Sequence, residues 1–186
     1  MESHRVMFRR LAVLILASSA ATLIRAENSS EPAFAFQGVK YFHRWSQNHQ
    51  HEFTPAKQED LDHWSDMITI NGYPSVDDGD KLASAANAVL GNYRDHQAKV
   101  LKTSSVPATD GRPAEHFIAV LFTRPDFSEA AFARFKLANG KGHSFVYSHR
   151  FYGKSSADEI AEWLKDNGQP TENALLEWDP EALPKD

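Results

Sequence analysis

Ala131-Phe132-Ala133-Arg134-Phe135-Lys136-Leu137 followed by Asn139-Gly140-Lys141-Gly142 and then by His143 to Tyr152 is the stretch that decides the fold. Ala131, Ala133, Phe135 and Leu137 alternate with Phe132, Arg134 and Lys136, the period of two that marks a strand. Asn and Gly tolerate positive φ, so Asn139-Gly140-Lys141-Gly142 predicts a tight reversal. His143 to Tyr152 then returns with Phe145, Tyr147, His149 and Phe151 on one side. Two alternating strands across a short turn make a hairpin, and a hairpin makes the sheet antiparallel at this point.

Working outward towards the C-terminus, Ser156-Ala157-Asp158-Glu159 reads as a capping box opening a helix. Ile160, Ala161 and Leu164 face inward there, with Trp163 flanking them, and Gly168 is the expected stop. Thr171 caps a last short helix through Trp178, and residues 179–186 form an acidic, proline-containing tail. Towards the N-terminus, Phe117-Ile118-Ala119-Val120-Leu121-Phe122 inside the strand His116–Thr123 is almost continuously apolar, as a central strand covered on both faces would be. A Pro/Gly loop from Pro107 to Pro113 and a strand from Ala98 to Val106 precede it.

Before that strand, Leu82, Ala85, Ala86, Val89, Leu90 and Tyr93 recur at helical spacing, and the acids of Asp77-Asp78-Gly79-Asp80 suit the positive end of the helix dipole. Strands are also expected over Val39–Trp45, His49–Thr54 and His63–Asn71, the last with Trp64, Asp66, Ile68 and Ile70 on one side. The sum is an α+β domain over residues 38–178, an antiparallel sheet flanked by helices in an α-β-α sandwich.

Residues 1–26 predict the compartment. Arg5, Arg9 and Arg10 precede the short apolar run Leu11 to Ala17, then Ser18-Ser19-Ala20-Ala21, and Ile24-Arg25-Ala26 before a polar start at Glu27. This is the pattern of a cleavable secretory signal, and the run falls short of the roughly 20 residues a membrane span needs. Residues 27–37, small and polar with scattered Phe, are expected to be a flexible lead-in.

Removal of the first 26 of 186 residues leaves 160, enough for one domain with a real core. The removed segment holds four Arg and one Glu, so the overall −5 becomes −8 for the remainder. An acidic chain is a poor match for nucleic acid or anionic membranes. Cysteine is absent, which excludes disulfides, thiolate metal sites and a Cys nucleophile. Export without cross-links points to a bacterial envelope, periplasmic or extracellular.

The order of strand, long helix, run of strands and closing helix resembles the PsbP/Mog1/DcrB-like group of small α-β-α sandwich proteins. The carriers lie between Glu52 and Asn167: Trp64-Ser65-Asp66-Met67-Ile68-Thr69, the helix Asp80–Tyr93, Ala133-Arg134-Phe135 and Tyr147-Ser148-His149-Arg150. The resemblance implies a non-enzymatic accessory or binding protein and transfers no catalytic residues.

Three patterns carry possible chemistry. His49-Gln50-His51 places two imidazoles on one face if the segment is a strand, a pair that suits zinc or copper, with Glu52 or His63 as a further ligand. Asp77-Asp78-Gly79-Asp80 has the oxygens of a calcium turn but lacks the alternating ligand series and distal Glu, and a helix cap accounts for it. Arg134, Tyr147, His149 and Tyr152 form an expected binding patch for an anionic ligand or a partner. Ser104, Ser105, Ser144 and Ser148 sit in no nucleophile motif, and no His-Glu-x-x-His or phosphate loop occurs.

The expected function is therefore an exported, non-enzymatic binding or adaptor protein acting through its sheet face or edge on another envelope or secreted protein. No nucleic-acid partner and no membrane span after signal cleavage are expected. An inhibitor or immunity protein falls in the same class, and a metal-binding protein or an unrecognised hydrolase is the alternative.

Overall fold

The computed structural model describes residues 31–180. The elements run β1 (Phe34–Phe36), β2 (Val39–Gln47), β3 (Gln50–Pro55), β4 (Asp66–Tyr73), α1 (Gly79–Asp95), β5 (Lys99–Val106), β6 (Glu115–Thr123), β7 (Phe127–Ala138), β8 (Lys141–Tyr152) and α2 (Ser156–Glu177). The strands form one eight-stranded sheet, ordered β1-β2-β3-β4-β8-β7-β6-β5, with every neighbouring pair antiparallel. The α+β class is thus as expected. No helix among the described residues is long and apolar enough to cross a membrane. The signal segment 1–26 and the tail residues 181–186 lie outside the described residues.

Three hairpins share one solution. Phe36 pairs with Val39, Gln47 with Gln50 and Ala138 with Lys141, leaving Gln37-Gly38, Asn48-His49 and Asn139-Gly140 as two-residue turns. All six turn residues have positive φ, as the primed turns that match strand twist require. The hairpin read from Ala131 to Tyr152 is present, and both its strands run longer, through twelve residues each.

Alternation along the central strands divides the core in two. Ile118, Val120, Phe122, Ala131, Ala133, Phe135 and Val146 pack with Leu82, Ala86, Val89 and Tyr93 of α1. Phe117, Ala119, Ala130, Phe132, Phe145 and Tyr147 pack with Ile160 and Leu175 of α2 on the opposite face. The stripe on α1 is the one its spacing predicts, and the Asp78 carboxylate accepts from the Lys81 N–H at 2.8 Å as the helix cap. At Gly142 the backbone N–H donates to the Val76 carbonyl at 2.6 Å. A Cβ there would lie 2.5 Å from Val76 Cγ1, so the contact admits only glycine.

Several expectations are corrected. Phe34–Phe36 is a strand inside the expected lead-in, held by Phe34 and Phe36 against Trp178 at ring distances of 4.9 and 5.4 Å. The third strand starts at Gln50, which leaves His49 in a turn with φ of 63°. The fourth starts at Asp66, so Trp64 escapes its expected alternation and packs over Arg150 on the α1 face instead.

The helix expected to stop at Gly168 is continuous with the one expected from Thr171, through both Gly168 and Pro170. Thr171 and Leu175 are buried on the sheet along with Ile160, and that burial outweighs the local signals. Pro170 lies on the exposed side, where water can satisfy the carbonyl that it leaves without a donor. The capping box also differs. Ser155 is the N-cap, and the Ser156 hydroxyl is buried 3.1 Å from that of Ser128.

Candidate functional site

The most connected polar cluster lies on the α2 face, at the junction of β4 and β8. Asp66 opens β4 and stands directly across from His149. Its Oδ1 accepts from the Tyr147 hydroxyl at 2.8 Å and from His149 Nδ1 at 2.9 Å, while its Oδ2 accepts from Gln58 Nε2 at 3.1 Å. Gln58 is fixed in turn, because its Oε1 accepts the backbone N–H groups of Ser65 and Asp66, each at 2.8 Å. The Asp66 side chain is 26 % exposed and that of His149 12 %.

The electrostatics follow from these bonds. Burial alone would raise the Asp66 pKa, but hydrogen bonds from His149, Gln58 and Tyr147 hold it below its ordinary value. Burial and the adjacent Asp66 charge push the Tyr147 hydroxyl up, so it remains a donor. An ionised carboxylate only accepts, so His149 Nδ1 carries a proton. Its Nε2 is buried and has no hydrogen-bond partner among the described residues. The ring is held by the Trp163 indole stacked at 4.3 Å and by the edge of Phe151 at 4.9 Å. A carboxylate-oriented imidazole with an uncommitted second nitrogen is the arrangement that acid–base chemistry uses.

The other expected binding residues go elsewhere. Arg134 is 4 % exposed. Its Nε donates to Glu115 at 2.7 Å, and its Nη1 donates to the carbonyls of Leu175 and Trp178 at 3.2 and 2.6 Å, capping the C-terminal end of α2. Tyr152 projects to the opposite face. There its hydroxyl accepts from the Trp64 N–H at 3.0 Å and donates to the Trp64 carbonyl at 2.9 Å. Arg150 lies on that same side between Trp64 and Phe127, each ring 4.1 Å away, and binds Glu129 at 2.6 Å. The structure therefore joins Tyr147 with His149 and separates both from Arg134 and Tyr152. Asp66 and Gln58, which complete the cluster, carry no motif; only the register of β4 against β8 reveals them.

His49 and His51 likewise part company. His51 is buried on β3 with its ring 5.6 Å from that of His43 on β2, whereas His49 occupies the exposed turn. Burial, and secondarily His51, lower the His43 pKa against an opposing hydrogen bond to the Trp45 backbone. No group of three or more His, Cys, Asp or Glu side chains suited to a metal occurs among the described residues. Asp77 and Asp78 are engaged by Lys81 Nζ at 2.6 and 3.6 Å. Ser105 Oγ lies 2.8 Å from His116 Nδ1, and His116 Nε2 has no partner among the described residues, so this pair lacks the carboxylate that orients a catalytic imidazole.

The most exposed regular element is β5, an edge strand bonded only to β6. Seven of its eight residues are exposed, and Leu101 and Val106, each 39 % exposed, are two of the three large apolar side chains left on the surface among the described residues. A bulge between Val100 and Lys102 interrupts the register with β6. No protein-family model matches the chain, and no curated protein matches it.

Proposed function

We propose that the chain is an exported binding or adaptor protein, periplasmic or extracellular, and that it engages another envelope or secreted protein through the β5 edge. The observation that carries this reading is the exposure of β5 along its length. Both faces of the central sheet are covered by helices, and Arg134, Tyr147 and Tyr152 are committed to internal bonds. The outer N–H and C=O groups of an edge strand form a template on which an extended segment adds as a further strand. Lys99, Leu101 and Val106 favour a segment that carries both acidic and apolar side chains. The resemblance to PsbP/Mog1/DcrB-like proteins and the signal pattern support the same class and compartment.

A photo-crosslinking residue placed at Ser104, with a second at the exposed Asn87 of α1 as control, tests the contact in the native host. One stoichiometric protein product from position 104, weakened by Leu101→Glu and absent from position 87, is expected. Crosslinking from position 87 alone would overturn the β5 assignment. Protein recovered from the host should begin near Glu27; a cytosolic chain beginning at Met1 would remove the exported reading.

A second reading rests on Asp66 and His149, whose geometry suits a general base in a hydrolase. Saturable turnover abolished by His149→Gln, with the fold retained, would place catalysis ahead of binding.

A further inference from the structure

We propose that a cavity of about 20 Å³ on the α1 face of the sheet binds one ordered water, which joins α1 to β4, β7 and β8. Strand register assembles its walls. Thr69 of β4 stands opposite Val146 of β8, and Ser148 and Arg150 of β8 stand opposite Ala131 and Glu129 of β7. Tyr93, near the end of α1, lies across this patch of sheet and contributes the wall on the helix side. No residue of the lining is more than 8 % exposed.

The protein's own bonds leave four oxygens of this lining uncommitted. Glu129 Oε2 accepts from both Arg150 Nε and Arg150 Nη2, at 3.1 and 2.6 Å, which leaves Oε1. The hydroxyls of Thr69, Tyr93 and Ser148 form no hydrogen bond with a described residue. Buried polar groups find a partner in protein or in ordered water, and four around one cavity share the same solution. Burial, and after it the charges of Tyr73 and Glu129, push the Tyr93 hydroxyl up, so it keeps its proton and donates. Glu129 exerts this effect with no hydrogen bond between the two groups, as it would across a space.

Size and charge identify the occupant. One water needs about 10–15 Å³ of such space, so the cavity takes a single water and no organic molecule. Arg150 already neutralises Glu129, so a cation would add an uncompensated buried charge, and Glu129 repels an anion. A neutral species that both donates and accepts fits. The water accepts from Tyr93 and donates to Glu129 Oε1, and the Thr69 and Ser148 hydroxyls, which serve in either role, complete its two to four bonds.

The first test needs only the wild-type chain. A crystal structure should show one peak of solvent density in the cavity, about 2.7–3.2 Å from Tyr93 Oη and from Glu129 Oε1. A dry cavity, or a Tyr93 hydroxyl bonded directly to Glu129, would overturn the proposal. An anomalous peak at this position after soaking in rubidium chloride would reject it too, because the occupant would then be a cation. Oxygen-17 relaxation dispersion counts long-lived waters in solution. Ala131→Val, whose added methyl groups occupy the cavity, should hold one such water fewer than wild type, and an equal count in the folded variant would remove the water from this site.

Discussion

Arg134 is the residue whose role changes most between sequence and structure, and its removal separates the two readings. As part of an exposed binding patch, Arg134→Ala would leave stability nearly unchanged. In the structure the guanidinium balances Glu115, whose side chain is 9 % exposed, and satisfies two carbonyls at the end of α2. Removing one partner of a buried ion pair costs up to about 3–5 kcal/mol, because the remaining charge keeps its desolvation penalty, and here Glu115 keeps only the longer 3.4 Å contact to the exposed Arg112. For a domain of this size each kcal/mol moves the melting temperature by about 2–4 °C, so Arg134→Ala should melt about 6–20 °C lower.

A double-mutant cycle refines the attribution. Glu115→Leu combined with Arg134→Met removes both charges, so it should lose less than the sum of the single changes. The part it still loses, about 1–3 kcal/mol, belongs to the uncapped carbonyls. Differential scanning calorimetry at neutral pH measures wild type, Arg134→Ala, Arg134→Met, Glu115→Leu and the double variant. A melting temperature for Arg134→Ala within about 2 °C of wild type would refute the buried-pair reasoning.

Two further outcomes are expected. Asp66 and Glu115 both have folded pKa values held below their ordinary values of 3.8 and 4.5, so the stability they add is present above those values and is lost as pH falls through the folded ones. Acid titration of Asp66→Asn, followed by near-ultraviolet circular dichroism, should show a shallower loss of stability below about pH 4 than wild type, and an unchanged slope would contradict the hydrogen-bond network. Gly142→Ala drives a Cβ into Val76, so chemical denaturation should register a loss of about 1–3 kcal/mol, and a variant as stable as wild type would show that the Val76 segment can move away.

What the sequence discloses here is what local chemistry controls. Asn139-Gly140 fixes a two-residue turn, and the flanking alternation then sets register for twelve residues on each side. The stripe from Leu82 to Tyr93 and the Asp78 cap likewise act within a few turns of helix. Alternation also identified Tyr147 and His149 as residues of one strand face. Their common partner Asp66 lies more than 80 positions away in sequence, and nothing in the alternation of β4 or β8 alone says how the two strands register. The His43–His51 contact depends on the register of β2 against β3, in which His43 pairs with Phe53, and no periodicity announces that register. Gly168 and Pro170 are true local breakers, overridden because Thr171 and Leu175 have a sheet to bury against. Arg134 reads as a surface residue until the end of α2 is known to lie over β7.

The strand order carries a consequence for how the chain assembles. β1 to β4 and β5 to β8 are two meanders of nearest-neighbour hairpins, each buildable from contacts close in sequence. They meet only where β4 pairs with β8, across the intervening α1 and three strands. Closing a loop of that length costs about 4 kcal/mol of chain entropy, which the seam recovers only when the register is complete. Loop-closure entropy therefore predicts that the local hairpins form first and the seam last, as the slow, non-local step. Asp66 sits on one side of that seam and its donors Tyr147 and His149 on the other, so their network exists only in a chain whose two halves have already recognised each other.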